Sequence, residues 1–159
     1  MTIFNTNVDN LIEYDMGTFS YTQATNSRKS QGIELEGKWQ ASDTISVDGS
    51  YAYVDAKTGT EVAARVPGHD LSLAISANII PKVNSNLEIN HVMDYKDTVS
   101  GSLVDMPDYT VTNLAVSYDI SNNLLGYVRI QDLMDSDYET VKDFNTGGRQ
   151  IFAGIRATF

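Results

Sequence analysis

The chain has 159 residues, carries 21 acidic against 11 basic side chains for a net charge of −10, and contains no cysteine. A hydrophobic content of 42% excludes a disordered acidic tail, because such tails lack the apolar surface that offsets the entropy of ordering the chain. The charge opposes nucleic-acid binding, which depends on basic side chains that neutralise phosphates, and the absence of cysteine excludes disulfides and thiolate metal sites.

The first nine residues offer neither a basic start nor an apolar run of roughly 7 to 15 residues, so they do not predict a secretory signal. No stretch approaches the roughly 18 consecutive apolar residues of a membrane helix. Because the chain starts directly in a strand-like pattern, we expect it to be a piece of a longer protein.

Apolar and polar residues alternate along most of the chain, which predicts strands with one apolar and one polar face. In the run 33–40 every odd residue is apolar or Gly and every even residue is polar. Eight strands are predicted, at 4–14, 33–40, 45–53, 71–79, 87–95, 112–118, around Val128 and Ile130, and at 151–159.

The predicted connections alternate between long and short. The long ones lie at 15–27, 57–68, 98–108 and 133–148, and the short ones at 41–43, 81–84 and 121–123. Transmembrane β-barrels have this arrangement, because their strands of about ten residues hydrogen-bond only to each other and are joined by short turns on one side and long loops on the other. The sequence therefore predicts an all-β, antiparallel transmembrane β-barrel.

Such barrels carry aromatic side chains at both membrane interfaces and polar side chains in the lumen. The predicted rim aromatics are Phe4, Trp39, Tyr118 and Phe159 on the turn side, and Tyr14, Tyr51, Tyr53 and Tyr95 on the loop side. The predicted lumen row contains Glu34, Glu36, Lys38, Asp48, Glu88, Asp94, Lys96, Arg129 and Arg156. Three residues fit this pattern poorly: Asn10 and His91 take lipid-side positions, and Tyr109 has the opposite parity. A bulge or a shifted register would explain them.

No motif predicts catalysis or a bound cofactor, so the chain is not expected to be an enzyme. His69 and His91 lie 22 residues apart, which does not favour a zinc site. The run that begins at Asp135 has Thr140 where a calcium-binding loop needs Gly. Glu34 and Glu36 share a strand face and are more simply explained as solvated lumen residues than as an acid and base pair.

Four motifs resemble the TonB-dependent outer-membrane receptors. The run 128–139 is similar to the end of the family's penultimate strand, which leads into Asn-Leu-Phe-Asp, two variable residues and Tyr; here Asp132 and Met134 replace that Asn and Phe. The run 28–36 resembles the family's Gly-Val/Ile-Glu strand opening, and 65–69 resembles its transition from loop to strand. The apolar residues that alternate back from Phe159 resemble the terminal strand that the barrel assembly machinery reads.

The resemblance implies the last eight strands of a large, plugged barrel of the roughly 22-stranded type. It also implies location in the outer membrane of a Gram-negative bacterium, in contact with lipid and lipopolysaccharide. The plug domain, the TonB box and the signal peptide would lie outside this chain, so contact with TonB would depend on the missing plug. Gly154 and Phe159 would belong to the C-terminal barrel signal.

The ligand that the resemblance implies is cobalamin or a ferric siderophore. The run 137–141, followed by Thr146, Gly148 and Arg149, is similar to the vitamin B12 (cobalamin) transporters of the family. Ligand contacts are expected among polar and aromatic loop residues, because loops carry most binding residues. The candidates are Tyr21, Arg65 and Asn145.

Two other architectures are consistent with the alternation. A complete eight-stranded outer-membrane barrel with a structural or adhesive role would pair its first strand with its last. A soluble β-sandwich that binds a partner would bury its apolar rows under a second sheet. The pairing of the edge strands and the exposure of the apolar face distinguish the three.

Overall fold

A computed structural model describes residues 1–15, 17–78 and 80–159, and of Glu13 only the backbone. These residues form fifteen strands. They are β1 (Thr2–Val8), β2 (Ile12–Asp15), β3 (Ser20–Gln23), β4 (Arg28–Ser42), β5 (Ile45–Thr58), β6 (Glu61–Val62), β7 (His69–Ala77), β8 (Val83–Met93), β9 (Tyr95–Val99), β10 (Ser102–Met106), β11 (Tyr109–Ser121), β12 (Leu124–Gln131), β13 (Glu139–Val141), β14 (Phe144–Asn145) and β15 (Gln150–Ala157).

Eight of these strands form one antiparallel sheet, which confirms the predicted number and direction. Their order is β1-β4-β5-β7-β8-β11-β12-β15, and the short β6 adds to β5. Within the described residues no pairing joins β1 to β15, so the sheet is open. The pairing that a complete eight-stranded barrel requires is therefore not formed.

The connections alternate in length as predicted. Tight turns join β4 to β5, β7 to β8 and β11 to β12 along one edge of the sheet, which we call the turn edge. The connections along the opposite edge, the loop edge, are long and contain the remaining short strands. Three of these connections form two-stranded hairpins: β2 with β3, β9 with β10, and β13 with β14.

The strand register gives the sheet one apolar and one polar face. Ile33 lies beside Tyr53, and Trp39 lies beside Val47. The apolar side chains on this face that are exposed include Ile3, Ile33, Leu35, Trp39, Tyr53, Leu71, Tyr118, Val128, Ile151 and Ile155. Among the described residues the sheets other than the main one are two-stranded hairpins, and the apolar face is uncovered. The β-sandwich alternative, which buries these rows, is wrong.

The polar face carries most of the predicted lumen row. An open hollow of about 530 Å³ is lined by Glu36, Lys38, Asp48 and Glu88 from neighbouring strands. Lys38 Nζ lies 3.2 Å from Asp48 Oδ1, so part of this charge is paired across the strands. Exposed charges on one face and exposed apolar side chains on the other match a barrel wall between water and lipid.

Three predictions near the start of the chain are wrong. The first strand ends at Val8, so Tyr14 lies in the β2–β3 hairpin and not at the end of a wall strand. Asn10 lies in the connecting turn with φ of 57°, and not on the lipid side of a strand. Phe4 pairs with Gly32 on the polar face, where a Cβ on Gly32 would lie 2.7 Å from the Phe4 ring. Phe4 is therefore not a rim aromatic.

The predicted strand 87–95 is also too long. β8 ends at Met93, and Asp94 turns the chain with φ of 53°. Tyr95 and Lys96 consequently belong to the β9–β10 hairpin, and Tyr95 is buried instead of facing lipid. Asp94 and Lys96 therefore do not join the lumen row. Residue 79 of the predicted strand 71–79 lies outside the described residues, and β7 ends at Ala77.

The two other poorly fitting residues have local explanations. His91 does lie on the apolar face, opposite Leu71, and its Nδ1 is 2.8 Å from Thr110 Oγ1, which partly satisfies the ring. Tyr109 faces the polar side opposite Val92. The register with β8 is continuous from Tyr109 to Tyr118, so no bulge explains the parity of Tyr109. The register shift in this strand lies at its other end, between Asp119 and Ser121.

Candidate functional site

Three of the four long loops meet at one buried carboxylate, Asp97 of β9. Its side chain is 1% exposed. Oδ1 accepts hydrogen bonds from Arg65 Nε at 2.7 Å and from the Thr98 backbone N–H at 2.7 Å, and Oδ2 accepts one from the Lys142 backbone N–H at 2.8 Å. Asp97 thereby joins the loop before β7, the β9–β10 hairpin and the β13–β14 hairpin into one unit, which we call the loop junction.

The donors around Asp97 keep it ionised. The hydrogen bond from Arg65 is the largest cause, followed by the backbone N–H groups of Lys142 and Thr98, and together they lower the pKa of Asp97 from 3.8 to about 2 despite its burial. The same contact raises the pKa of Arg65. A hydrogen-bonded ion pair of this kind is stronger than one between exposed side chains.

A small hydrophobic cluster supports the loop junction. Val92, Tyr95 and Met106 are buried together, with Tyr109 packed against them. The Tyr95 hydroxyl donates to the Thr140 carbonyl at 2.6 Å, and burial raises the pKa of Tyr95. The loop edge is thus held by side-chain packing in addition to backbone pairing.

The motif that resembles the receptor family shapes the turn after β12. Asp132 is buried with φ of 49°, and its two carboxylate oxygens accept from the Ser136 backbone N–H at 3.0 and 2.9 Å. Asp135 Oδ1 accepts from the Arg149 backbone N–H at 2.9 Å. Tyr138 stacks on Tyr109 with 4.6 Å between ring centroids. These residues fix where the last loop leaves the sheet.

The three predicted ligand contacts lie on three different loops. Arg65 is exposed, but its Nε donates a hydrogen bond to Asp97. Part of its guanidinium group therefore belongs to the loop junction. Tyr21 of β3 is 75% exposed and packs edge-on against Tyr14 at 5.3 Å. Asn145 of β14 is exposed at a hairpin end. Among the described residues no hydrogen bond or ring contact joins these three to each other.

Sequence reasoning missed the central residue of this region. Asp97 lies in the polar run 95–98, which is indistinguishable from a solvated loop, and its burial depends on contacts 32 and 45 residues away. The exposed apolar side chains Phe19 and Phe144 were also missed. The sequence did contain a signal for these two residues. An aromatic residue in a predicted long loop has no membrane or core to cover it, so it is expected to be exposed.

The residues predicted as a C-terminal barrel signal lie at the turn edge and on the last strand. Phe159 follows the end of β15 and is fully exposed. Gly154 lies opposite Tyr127 on the polar face, and a Cβ at this position would be 2.6 Å from Cζ of that ring. Packing alone therefore accounts for a glycine at position 154, because the Tyr127 ring lies across it and leaves no room for a side chain.

In the part of the chain that the structure describes, no three metal-ligating side chains come together. Nor do these residues include a helix with the length and hydropathy needed to cross a bilayer. The arrangement offers exposed loop side chains above a hollow, polar sheet face, which is suited to binding and passage of a ligand.

Comparison with known proteins agrees with this architecture. The family model "TonB dependent receptor-like, beta-barrel" matches residues 1–142. The chain belongs to this family. The family assignment and the exposed apolar face together account for the alternation of the sequence, since the wall of such a receptor needs both a lipid-facing and a water-facing row.

Several receptors and transporters are similar to this TonB-dependent receptor barrel. The metal-pseudopaline receptor CntO of Pseudomonas aeruginosa (strain UCBPP-PA14) is 26% identical over 149 residues, covering 87% of this chain and 21% of that protein. The ferrichrome outer membrane transporter/phage receptor of Escherichia coli (strain K12) is 28% identical over 173 residues, covering 97% of this chain and 23% of that protein. The chain thus spans less than a quarter of their length.

A solved structure has the same fold. The pyoverdine outer membrane receptor FpvA of Pseudomonas aeruginosa PAO1 superposes with a TM-score of 0.82 at 19% identity, over 99% of this chain and 26% of that receptor. The open sheet therefore has the same fold as the part of that receptor with which it superposes. These relatives are named as receptors and transporters, and none is named as an enzyme.

Proposed function

We propose that this chain is the C-terminal part of the barrel of a TonB-dependent receptor that imports a metal chelate across the outer membrane of a Gram-negative bacterium. The observation that carries the proposal is the family match over residues 1–142 on an open sheet with one exposed apolar face and long loops at a single edge. The apolar face would contact lipid, the polar face would contact the plug and water, and the loops would face the medium.

In this proposal, further strands and a plug domain would come from the rest of the receptor. In the intact protein β1 and β15 would pair with further strands, which would close the barrel and remove both free edges. A plug domain at the polar face would connect the receptor to TonB. The last strand, with Gly154 and Phe159, would be the segment that the barrel assembly machinery recognises.

We propose a ferric siderophore or a related metal chelate as the ligand, in preference to cobalamin. The names of the relatives, a metal-pseudopaline receptor and a ferrichrome transporter, support this class. The residues that resemble the cobalamin transporters have internal partners: Tyr138 stacks on Tyr109, and Glu139 accepts from Lys142 Nζ at 3.1 Å. Their similarity is accounted for by loop architecture and needs no shared ligand.

Tyr21, Arg65 and Asn145 remain the proposed ligand contacts. Tyr21 presents an exposed ring, and Asn145 adjoins the exposed Phe144 at a hairpin turn. Aromatic faces and amide groups suit a chelate that presents both rings and oxygen donors. Arg65 would favour an anionic chelate, because Asp97 neutralises its positive charge only in part.

The test uses the full-length receptor, purified in detergent and titrated by calorimetry with ferric hydroxamate, ferric catecholate and cobalamin ligands. We expect one ferric siderophore class to bind and cobalamin not to bind. Tyr21→Ala and Asn145→Ala should weaken that binding. Tyr118→Ala is the matched control, because Tyr118 is an exposed tyrosine at the turn edge. Tight cobalamin binding, or equal effects of all three variants, would contradict the ligand assignment.

A further inference from the structure

Two lysines face each other across neighbouring strands at the loop edge. Lys29 of β4 is the register partner of Lys57 of β5, and both lie on the apolar face. Like charges directly opposite each other destabilise a sheet. Lys57 is paired with Asp55 at 3.0 Å, whereas among the described side chains Lys29 has no carboxylate within ion-pair distance. The pair therefore leaves one positive charge without an anion.

The distance of this lysine pair from the turn edge shows where it would lie relative to the membrane. Trp39, at the turn edge, and Lys29 are ten residues apart in β4, and Val47 and Lys57 are ten apart in β5. At about 3.3 Å per residue and a strand tilt of about 40°, ten residues rise by roughly 25 Å. Because the apolar band of an outer-membrane barrel is about 25 Å tall, the lysines reach the outer headgroup layer.

The lysines line a notch on the apolar face, with a volume of about 270 Å³. Asn5 and Gln31 are register partners and contribute side-chain amides to it. Asp55 Oδ2 accepts from both Gln31 Nε2, at 3.3 Å, and Lys57 Nζ, at 3.0 Å, and so fixes the positions of these donors. With two lysines and one aspartate the notch carries a charge of +1, in a chain whose net charge is −10.

We propose that this notch binds a phosphate group of an outer-leaflet lipid headgroup. The inference rests on the proposed position of the sheet in the outer membrane. A phosphate between Lys29 and Lys57 would remove their repulsion, and its oxygens would accept from the two ammonium groups and from the amides of Asn5 and Gln31. The carboxylate of Asp55 in the same notch repels an anion. Only a phosphate that contacts both lysines is therefore expected to bind.

The experiment uses the full-length receptor in detergent and native mass spectrometry with three probes: bisphosphorylated lipid A, the same lipid without its phosphates, and inorganic phosphate. We expect the bisphosphorylated lipid to bind and the dephosphorylated lipid not to bind. Lys29→Gln and Lys57→Gln should each lower lipid affinity about fivefold, the effect expected of one basic side chain at a membrane surface. Lys29→Arg should retain binding.

Lys38→Gln is the matched control, because Lys38 lies on the same strand but on the polar face. It should leave lipid binding unchanged. If Lys29→Gln and Lys57→Gln bind the bisphosphorylated lipid as tightly as the unchanged receptor does, or if the dephosphorylated lipid binds as tightly as the bisphosphorylated one, the proposed site is wrong. Binding of inorganic phosphate as tightly as the lipid would also overturn it, since the source would then be free phosphate. Barrel assembly and siderophore binding are measured in the same samples, so failure of the proposed function is detected separately.

Discussion

The middle of the sheet and its loop edge are stabilised in different ways. In the middle, large side chains such as Leu35 and Val128 are exposed, and neighbouring strands are joined by backbone hydrogen bonds. At the loop edge, Asp97 is fully buried and bonded to two other loops. The buried apolar residues Ala56, Ala63, Val92, Tyr95 and Met106 all lie at or near this edge. The stability of the wall strands therefore depends on the medium that surrounds their exposed side chains, whereas the loops are stabilised by a small hydrophobic core.

The largest effect is expected from charge on the lipid side of the wall. In the full-length receptor, Leu73→Arg or Val116→Arg should cost roughly 2 to 4 kcal/mol of unfolding free energy, because a buried charge near the bilayer midplane is poorly solvated. Equilibrium unfolding in lipid vesicles measures this cost.

Ser76→Arg and Ser117→Arg are the matched controls on the polar face. Ser76 lies opposite Asn86, and Ser117 lies opposite Tyr127, in the water-facing row. These variants should cost much less. Equal costs on the two faces would show that the assigned sidedness is wrong.

A smaller effect is expected within the last two wall strands. Gly154→Ala places a Cβ 2.6 Å from the Tyr127 ring and should destabilise the barrel by about 1 to 3 kcal/mol, the usual cost of overpacking. The same unfolding assay applies. In a Tyr127→Ala background the substitution should be nearly neutral, because the ring that it meets is absent. If the cost persists there, Gly154 has a role other than accommodating the ring.

The loop junction should respond to the loss of one charge without any change in the wall. Asp97→Asn removes the ion pair with Arg65 and should raise the rate of proteolysis in the β9–β10 and β13–β14 hairpins about tenfold, the factor represented by one hydrogen bond to a charged group. Asp105→Asn is the control, since Asp105 pairs with Lys96 at the surface of the same hairpin. Barrel unfolding should be unaffected by both.

The smallest effect is a pH dependence of the loops. Because the pKa of Asp97 is lowered from 3.8 to about 2, its contribution is fully present above about pH 4 and is lost as the pH falls through about 2. The hydrogen bond from Lys142 lowers the pKa of Glu139 and acts in the same direction. Pepsin cleavage of the loops should rise between pH 4 and pH 2, and less so in Asp97→Asn. A pH-independent cleavage rate would contradict this assignment.

The sequence alone determined the wall. Strand alternation has a period of two, so one row such as Ile33, Leu35 and Trp39 specifies both the strand and its lipid-facing side. The lengths of the connections then specified which edge carries the loops. These signals are local, and the structure has the predicted eight antiparallel wall strands.

Only the tertiary structure decided the strand ends and the loop junction. Phe4 faces inward because β1 is in register with Gly32, and Tyr95 is buried because the chain turns at Asp94. Asp97 acquires its donors from residues 32 and 45 positions away, and alternation carries no information on such contacts. A period of two residues records which solvent a strand faces, whereas the meeting of loops depends on how separate strands are brought side by side.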